Sequence, residues 1–185
     1  MTELEQMPDL YAAKIKEKVD ALLAEHELEV FHKWLEQDYI QCQPMYELTE
    51  SIMPAKTISS IPKSLYEEED GNLNDYERKV IWELSGLDNV KWWHRNIARK
   101  EFAINGVVTV YPDLMVMLEN GKMLLIETKG DHLDNDESKE KAKTGAEWAA
   151  LAGRMYKYYM VFETKNPGYC GAFSHDKFME IVKGL

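Results

Sequence analysis

Two cysteines in 185 residues, Cys42 and Cys170, are too few and too far apart to suggest a disulfide framework or a thiolate zinc site. Apolar runs are short: none approaches the ~20 residues that span a bilayer. The acidic start MTELEQMPDL also lacks the basic and apolar regions of a signal peptide. A cytoplasmic protein with no membrane partner is expected. No GxxxxGK[ST] phosphate loop is present, which excludes a complete nucleotide-driven motor within this chain. Basic residues are outnumbered, with 22 Lys and Arg against 33 Asp and Glu and a net charge of -11. Such a balance argues against non-specific coating of nucleic acid, because phosphate contacts need cations that displace counterions. His26, His32, His132 and His175 show no paired ligand spacing, so a histidine metal site is not expected.

What is present suits one well-packed domain with a small appendage: 45% of the residues are hydrophobic and 11% aromatic. Charge is uneven along the chain. From Glu77 to Glu101 the basic residues, among them Arg78, Lys91, Arg95, Arg99 and Lys100, outnumber the acidic ones, whereas DHLDNDESKE at 131–140 is strongly acidic. A basic lip on an acidic body is one outcome. Tyr11, Ile15, Val19, Leu22 and Leu23 recur at helical spacing, and Leu28, Phe31, Leu35 and Tyr39 predict a second helix after a short break. Pro44, Pro54 and Pro62 then mark an aperiodic connector. The expected division is a helical extension and connector over 1–63 and a main domain over 64–185.

Within the main domain, NDYERKVIWELSG predicts a helix capped by Asn74, with Glu77 three positions on and Gly86 as the stop. A hairpin should follow, its strands near 107–118 and 122–129 and its turn at Glu119-Asn120-Gly121. Residues 137–154 predict a helix, 156–162 a buried strand, YCGAF a short strand, and SHDKFMEIVKGL a closing helix capped by Ser174. That order is one of a mixed α/β domain with helices against a central sheet.

Charges in the hairpin stand out. Asp113, Glu127 and Lys129 interrupt strands otherwise built for a core, and a buried ionised group needs a partner, an ion or an opening to solvent. They form either a buried ion network or a site, and register separates the two. A two-residue Asn120-Gly121 loop would set Asp113 opposite Thr128 and turn Glu127 to the other face. A three-residue loop with Gly121 left-handed, or a bulge near Pro112, would set Asp113 opposite Glu127. Two converging carboxylates repel unless a cation lies between them, and hard oxygen ligands select Mg2+ or Mn2+ over zinc. Lys129 beside such an ion would orient a water or stabilise charge on a phosphate.

The stretch YPDLMVMLENGKMLLIETKG resembles the PD-(D/E)xK nuclease signature, Pro112-Asp113 and Glu127-Thr128-Lys129 matching its halves. The wider block from NDYERKVIWEL through VKWWHRNI to KAKTGAEW, about residues 72–165, resembles the C-terminal endonuclease domain of type III restriction enzyme cleavage (Res) subunits. The resemblance implies a restriction-endonuclease-like core, a central mixed sheet flanked by helices, with N-terminal accessory helices. It implies an Mg2+-dependent endonuclease acting on DNA, Asp113 and Glu127 holding the metal with the Thr128 carbonyl, and Lys129 positioning the attacking water. By the same resemblance Glu77 joins the metal directly or through water, and Lys141 and the pair Arg95 and Asn96 face the nucleic acid, beside Trp93 as a stacking candidate. A helicase motor and a methyltransferase specificity subunit are the implied partners.

Several of these residues read equally well without function. Glu77 completes a capping box, Lys141 suits a surface position, and Trp93 suits an edge strand with one buried indole. Gly145, Trp148, Ala152 and Met155 are packing positions on Lys141's helix face. The competing function is a catalytically silent module that keeps the nuclease fold for docking to a DNA-processing complex.

Overall fold

The computed structural model describes residues 8–185; residues 1–7, part of the stretch read above as lacking a signal sequence, lie outside them. The chain divides into two compact units, Met1–Gln41 and Cys42–Leu185. In the first, α1 (Pro8–Glu36) is one continuous helix rather than the expected two. The anticipated break falls in AEHELE, which holds no glycine or proline and is rich in helix formers, so nothing interrupts propagation. The helix stops where Asp38 turns left-handed, at φ 58°, and Tyr39 and Ile40 donate their amides to the Trp34 carbonyl. No helix among the described residues is long and apolar enough to cross a membrane.

A five-stranded mixed sheet organises the second unit. Its strands are β3 (Val90–Arg95), β4 (Leu114–Leu118), β5 (Met123–Lys129), β6 (Tyr156–Phe162) and β7 (Ala172–Ser174), in that spatial order. The β3–β4 and β4–β5 pairs are antiparallel, whereas β5–β6 and β6–β7 are parallel. A small ribbon of β1 (Thr57–Ile58) and β2 (Glu69–Asp70) stands apart. The connection from β5 to its parallel neighbour β6 is made by α3 (Asp136–Ala152), as a parallel pair requires.

Side chains alternate between the two sheet faces. Leu114, Val116, Leu124, Ile126 and Val161 pack with Val80, Ile81 and Leu84 of α2 (Asp75–Ser85) and with Phe178 and Val182 of α4 (His175–Lys183). Met115, Leu125, Tyr158 and Met160 face the other way, toward Ala142 and Trp148 of α3. Residues 42–63, expected as a connector, belong to this unit: Tyr46 and Leu48 lie against the α3-side core and Ile61 is buried in the other.

The hairpin takes the longer of the two candidate loops. Leu114 pairs with Ile126 and Met117 with Met123, and the loop is Glu119-Asn120-Gly121 with Gly121 at φ 82°. Its upstream strand begins at Leu114, not near 107. Pro112 has no amide for a ladder, and the Asp113 carboxylate captures the Thr128 amide at 2.7 Å. Between β3 and β4 an isolated bridge joins Ile104 and Val110.

Gly145 in α3 lies against the buried Tyr158 ring; a Cβ there would stand 2.4 Å from two of its carbons. Since neither helix backbone nor ring can retreat, G145A should lower the unfolding free energy by about 2 kcal/mol or more, read by urea denaturation with an unchanged m-value.

Candidate functional site

One residue beyond the Leu114–Ile126 pair, the same register sets Asp113 opposite Glu127, at the end of the hairpin away from the turn. The Asp113 side chain keeps 22% of its surface exposed, so the site opens to solvent. Its Oδ2 accepts from both the Thr128 amide at 2.7 Å and the Thr128 hydroxyl at 2.9 Å. Its main-chain carbonyl accepts from Arg95 Nη1 at 2.8 Å and from the Asn96 amide at 3.0 Å. Asp113 is thus held by β3 on one side and β5 on the other.

Glu127 is buried beneath it. Its Oε1 lies 2.7 Å from Lys129 Nζ, and its Oε2 accepts from the Tyr158 hydroxyl at 2.8 Å. Burial, then the neighbouring Glu127 charge, hold that hydroxyl protonated well above the ordinary tyrosine range. Arg95 lies between Asp113 and Glu77, 3.5 Å from an oxygen of each. Glu77 completes the capping box, its Oε2 accepting from the Asn74 amide at 2.9 Å, while its Oε1 faces Arg95. Burial pushes the Glu77 carboxyl upward, and Arg95 and the Asn74 amide oppose that rise. Lys141, half-buried on α3, is 2.6 Å from Glu137. That hydrogen bond raises its pKa against burial, and the fields of Glu127 and Asp113 add to the rise, so it lies within electrostatic reach of the hairpin carboxylates.

Two expected nucleic-acid contacts do not survive this geometry. Trp93 is 1% exposed in the core, with its indole N–H donating to the Pro62 carbonyl at 2.8 Å, so neither ring face is free to stack. Asn96 is equally buried; its amide donates to the Phe102 and Pro112 carbonyls at 2.9 and 2.7 Å. Asn96 positions the backbone ahead of Asp113 instead of gripping phosphate.

Glu77, Asp113, Glu127, Arg95 and Lys129 together leave one negative charge unbalanced. The hairpin carboxylates offer only hard oxygens, and cationic side chains face Asp113 Oδ1 and Glu127 Oε1. This donor set fits a magnesium or manganese ion better than a softer metal. Among the described residues no three His, Cys, Asp or Glu side chains cluster closely enough to hold a metal alone. Main-chain oxygen, such as the Thr128 carbonyl, and water would have to complete the shell.

Two residues escaped sequence reasoning. Tyr158 had a usable signal, since a tyrosine inside a buried strand needs a partner for its O–H and Glu127 was the available acid. His94 had none, because its partners are distant in sequence. It is buried between Glu69, 2.9 Å from Nδ1, and Glu101, 3.2 Å from Nε2. Glu69 also accepts from the Arg95 amide and Glu101 from the Ile97 amide, so this chain braces the end of β3 that carries Arg95 and Asn96.

No protein-family model, curated protein or solved structure matches this chain.

Burial alone would disfavour a charge on His94, but the hydrogen bonds it donates to Glu101 and Glu69, and then their charges, raise its pKa from 6.5 to about 9. The folded protein therefore holds this proton more tightly than the unfolded chain. The stabilisation is complete below about pH 6.5 and is lost as pH rises through 9. Unfolding free energy measured by urea titration should fall across that window, and H94Q should flatten the fall.

Proposed function

We propose that the second unit is a metal-dependent nuclease of the PD-(D/E)xK type, hydrolysing DNA phosphodiesters with Mg2+ or Mn2+ on a restriction-endonuclease-like core. The observation that carries the reading is the hairpin register, which pairs Leu114 with Ile126 and so, continued by one residue, directs Asp113 toward Glu127, with Lys129 2.7 Å from Glu127 on the same strand. A core hairpin has no packing reason to gather three charges at one end, whereas metal-assisted hydrolysis needs them together.

In this reading Asp113 and Glu127 hold the metal with the Thr128 carbonyl, and Glu77 contributes through water on the Arg95 side. When bound, the ion polarises the phosphate and lowers the pKa of a bound water. Lys129 orients the attacking water and stabilises charge on the phosphate oxygens. Lys141 faces the scissile phosphate, and Arg95, with exposed Arg99 and Lys100 beyond it, attracts the strand. An acidic body with so small a basic lip binds DNA weakly by itself. We therefore infer reliance on a helicase motor or a methyltransferase specificity subunit, and action in the cytoplasm.

A second reading, the silent docking module, has an observation of its own. Arg95 and Lys129 already neutralise much of the carboxylate charge, so the cluster can persist as an ion network with no metal. Plasmid cleavage with Mg2+, Mn2+ or chelator separates the two. The nuclease reading expects metal-dependent nicking that D113A and K129A each reduce by about 10²-fold or more, together with a metal-dependent rise in melting temperature that D113A abolishes. Nicking that survives both substitutions would overturn the assignment. Absence of both nicking and thermal shift with any metal would transfer it to the silent module.

A further inference from the structure

We infer that α1 is a self-association element, which pairs antiparallel with α1 of a second copy of this chain. Ile15, Val19, Leu22 and Leu23 are 62%, 47%, 52% and 54% exposed, and they form one stripe with Tyr11, His26 and Val30 at helical spacing. A stripe of this length and exposure on a single helix is stable only when something covers it.

Charge placement names the occupant. Lys14, Lys18, Glu25 and Glu29 run along one flank of the stripe, all exposed, while Lys16 and Glu27 lie on the other. Like charges four residues apart, Lys14 with Lys18 and Glu25 with Glu29, repel within an isolated helix. Antiparallel pairing about a two-fold axis near Ala21 and Leu22 reverses that cost. Lys14 then falls opposite Glu29, Lys18 opposite Glu25 and Lys16 opposite Glu27, and the reciprocal pairs repeat across the axis. With the axis one residue earlier, between Asp20 and Ala21, Val19 stacks on Leu22, Ile15 on His26 and Tyr11 on Val30 across the seam; the charged pairs are then offset by about 3 Å along the helices, and the lean of each side chain toward its own helix N-terminus closes that offset. Parallel in-register pairing would bring lysines against lysines and glutamates against glutamates, so the charges select the antiparallel arrangement. A partner of unrelated sequence would have no reason to match this internal complementarity at three positions. The inference is independent of the nuclease reading.

Light scattering and sedimentation of the full chain should report a dimer, weakened by salt. The reversals K14E/K18E and E25K/E29K alter only exposed side chains, and circular dichroism checks that each variant stays helical. Each alone should raise the dissociation constant about tenfold or more, and an equimolar mixture should recover dimers, because a flank of four glutamates then faces a flank of four lysines. A wild-type monomer at about 0.1 mM, or a dimer indifferent to both reversals, would overturn the proposal. Variants that stay monomeric when mixed would overturn it as well.

Discussion

The Asp113 carboxylate closes the open end of the hairpin in place of the main chain, and much of the surrounding structure follows from that substitution. By taking the Thr128 amide and hydroxyl, it ends the β4–β5 ladder at Leu114 and Ile126. The Asp113 carbonyl is released toward Arg95 and Asn96. A negative side chain now occupies the sheet end where a neutral amide pair would otherwise stand, and it must be compensated. Arg95 supplies that compensation while remaining near Glu77, so the capping of α2, the end of β3 and the hairpin share one electrostatic problem.

A second tier of buried polar groups makes the solution rigid. Glu127 would be costly beneath the sheet surface without both Lys129 and the Tyr158 hydroxyl. Tyr158 is fixed in turn by Gly145, whose missing Cβ is the room the ring occupies. On the opposite side, the Glu69–His94–Glu101 chain ties β2, β3 and the turn at 97–101 together, and Arg99 adopts a left-handed backbone at φ 66° within that turn. Each carboxylate near the hairpin is therefore met by a cation, an amide or a hydroxyl, and the arrangement resists small displacements because losing any one partner strands a buried charge.

Local signals carried most of the second unit. Asn74, Glu77 and Gly86 announced both ends of α2, Gly121 made the three-residue turn possible, and the apolar run 156–162 emerged as β6 within its expected bounds. The convergence of Asp113 with Glu127 was legible because a turn fixes register for the whole hairpin. What resisted reading depends on distance in sequence. Trp93 resembles a stacking residue until its burial against Ile61 and the α2 face is known, and no spacing rule joins His94 to residues 25 positions before it and seven after. The start of β4 was misplaced for a related reason: alternation continues through Val107 to Tyr111, but a proline and a side-chain competitor for the ladder end the strand early.

The same physical rule, that a charge placed at local cost must be met by something further away, reads both units of the chain. Charges in the hairpin make sense only when residues from three strands and α2 are assembled around them, and the molecule itself supplies those partners. Like charges repeated on one flank of α1 are compensated only in part along their own helix, by Glu17 beside Lys14 and Lys33 beside Glu29: Lys14 and Lys18 precede the midpoint, Glu25 and Glu29 follow it, and the apolar stripe beside them is exposed. A segregated pattern of that kind is unfavourable in one helix and favourable in two that run in opposite directions. The sheet-bearing unit therefore meets its charges internally, whereas the flank of α1 that carries Lys14, Lys18, Glu25 and Glu29 is matched in full only across a two-fold axis.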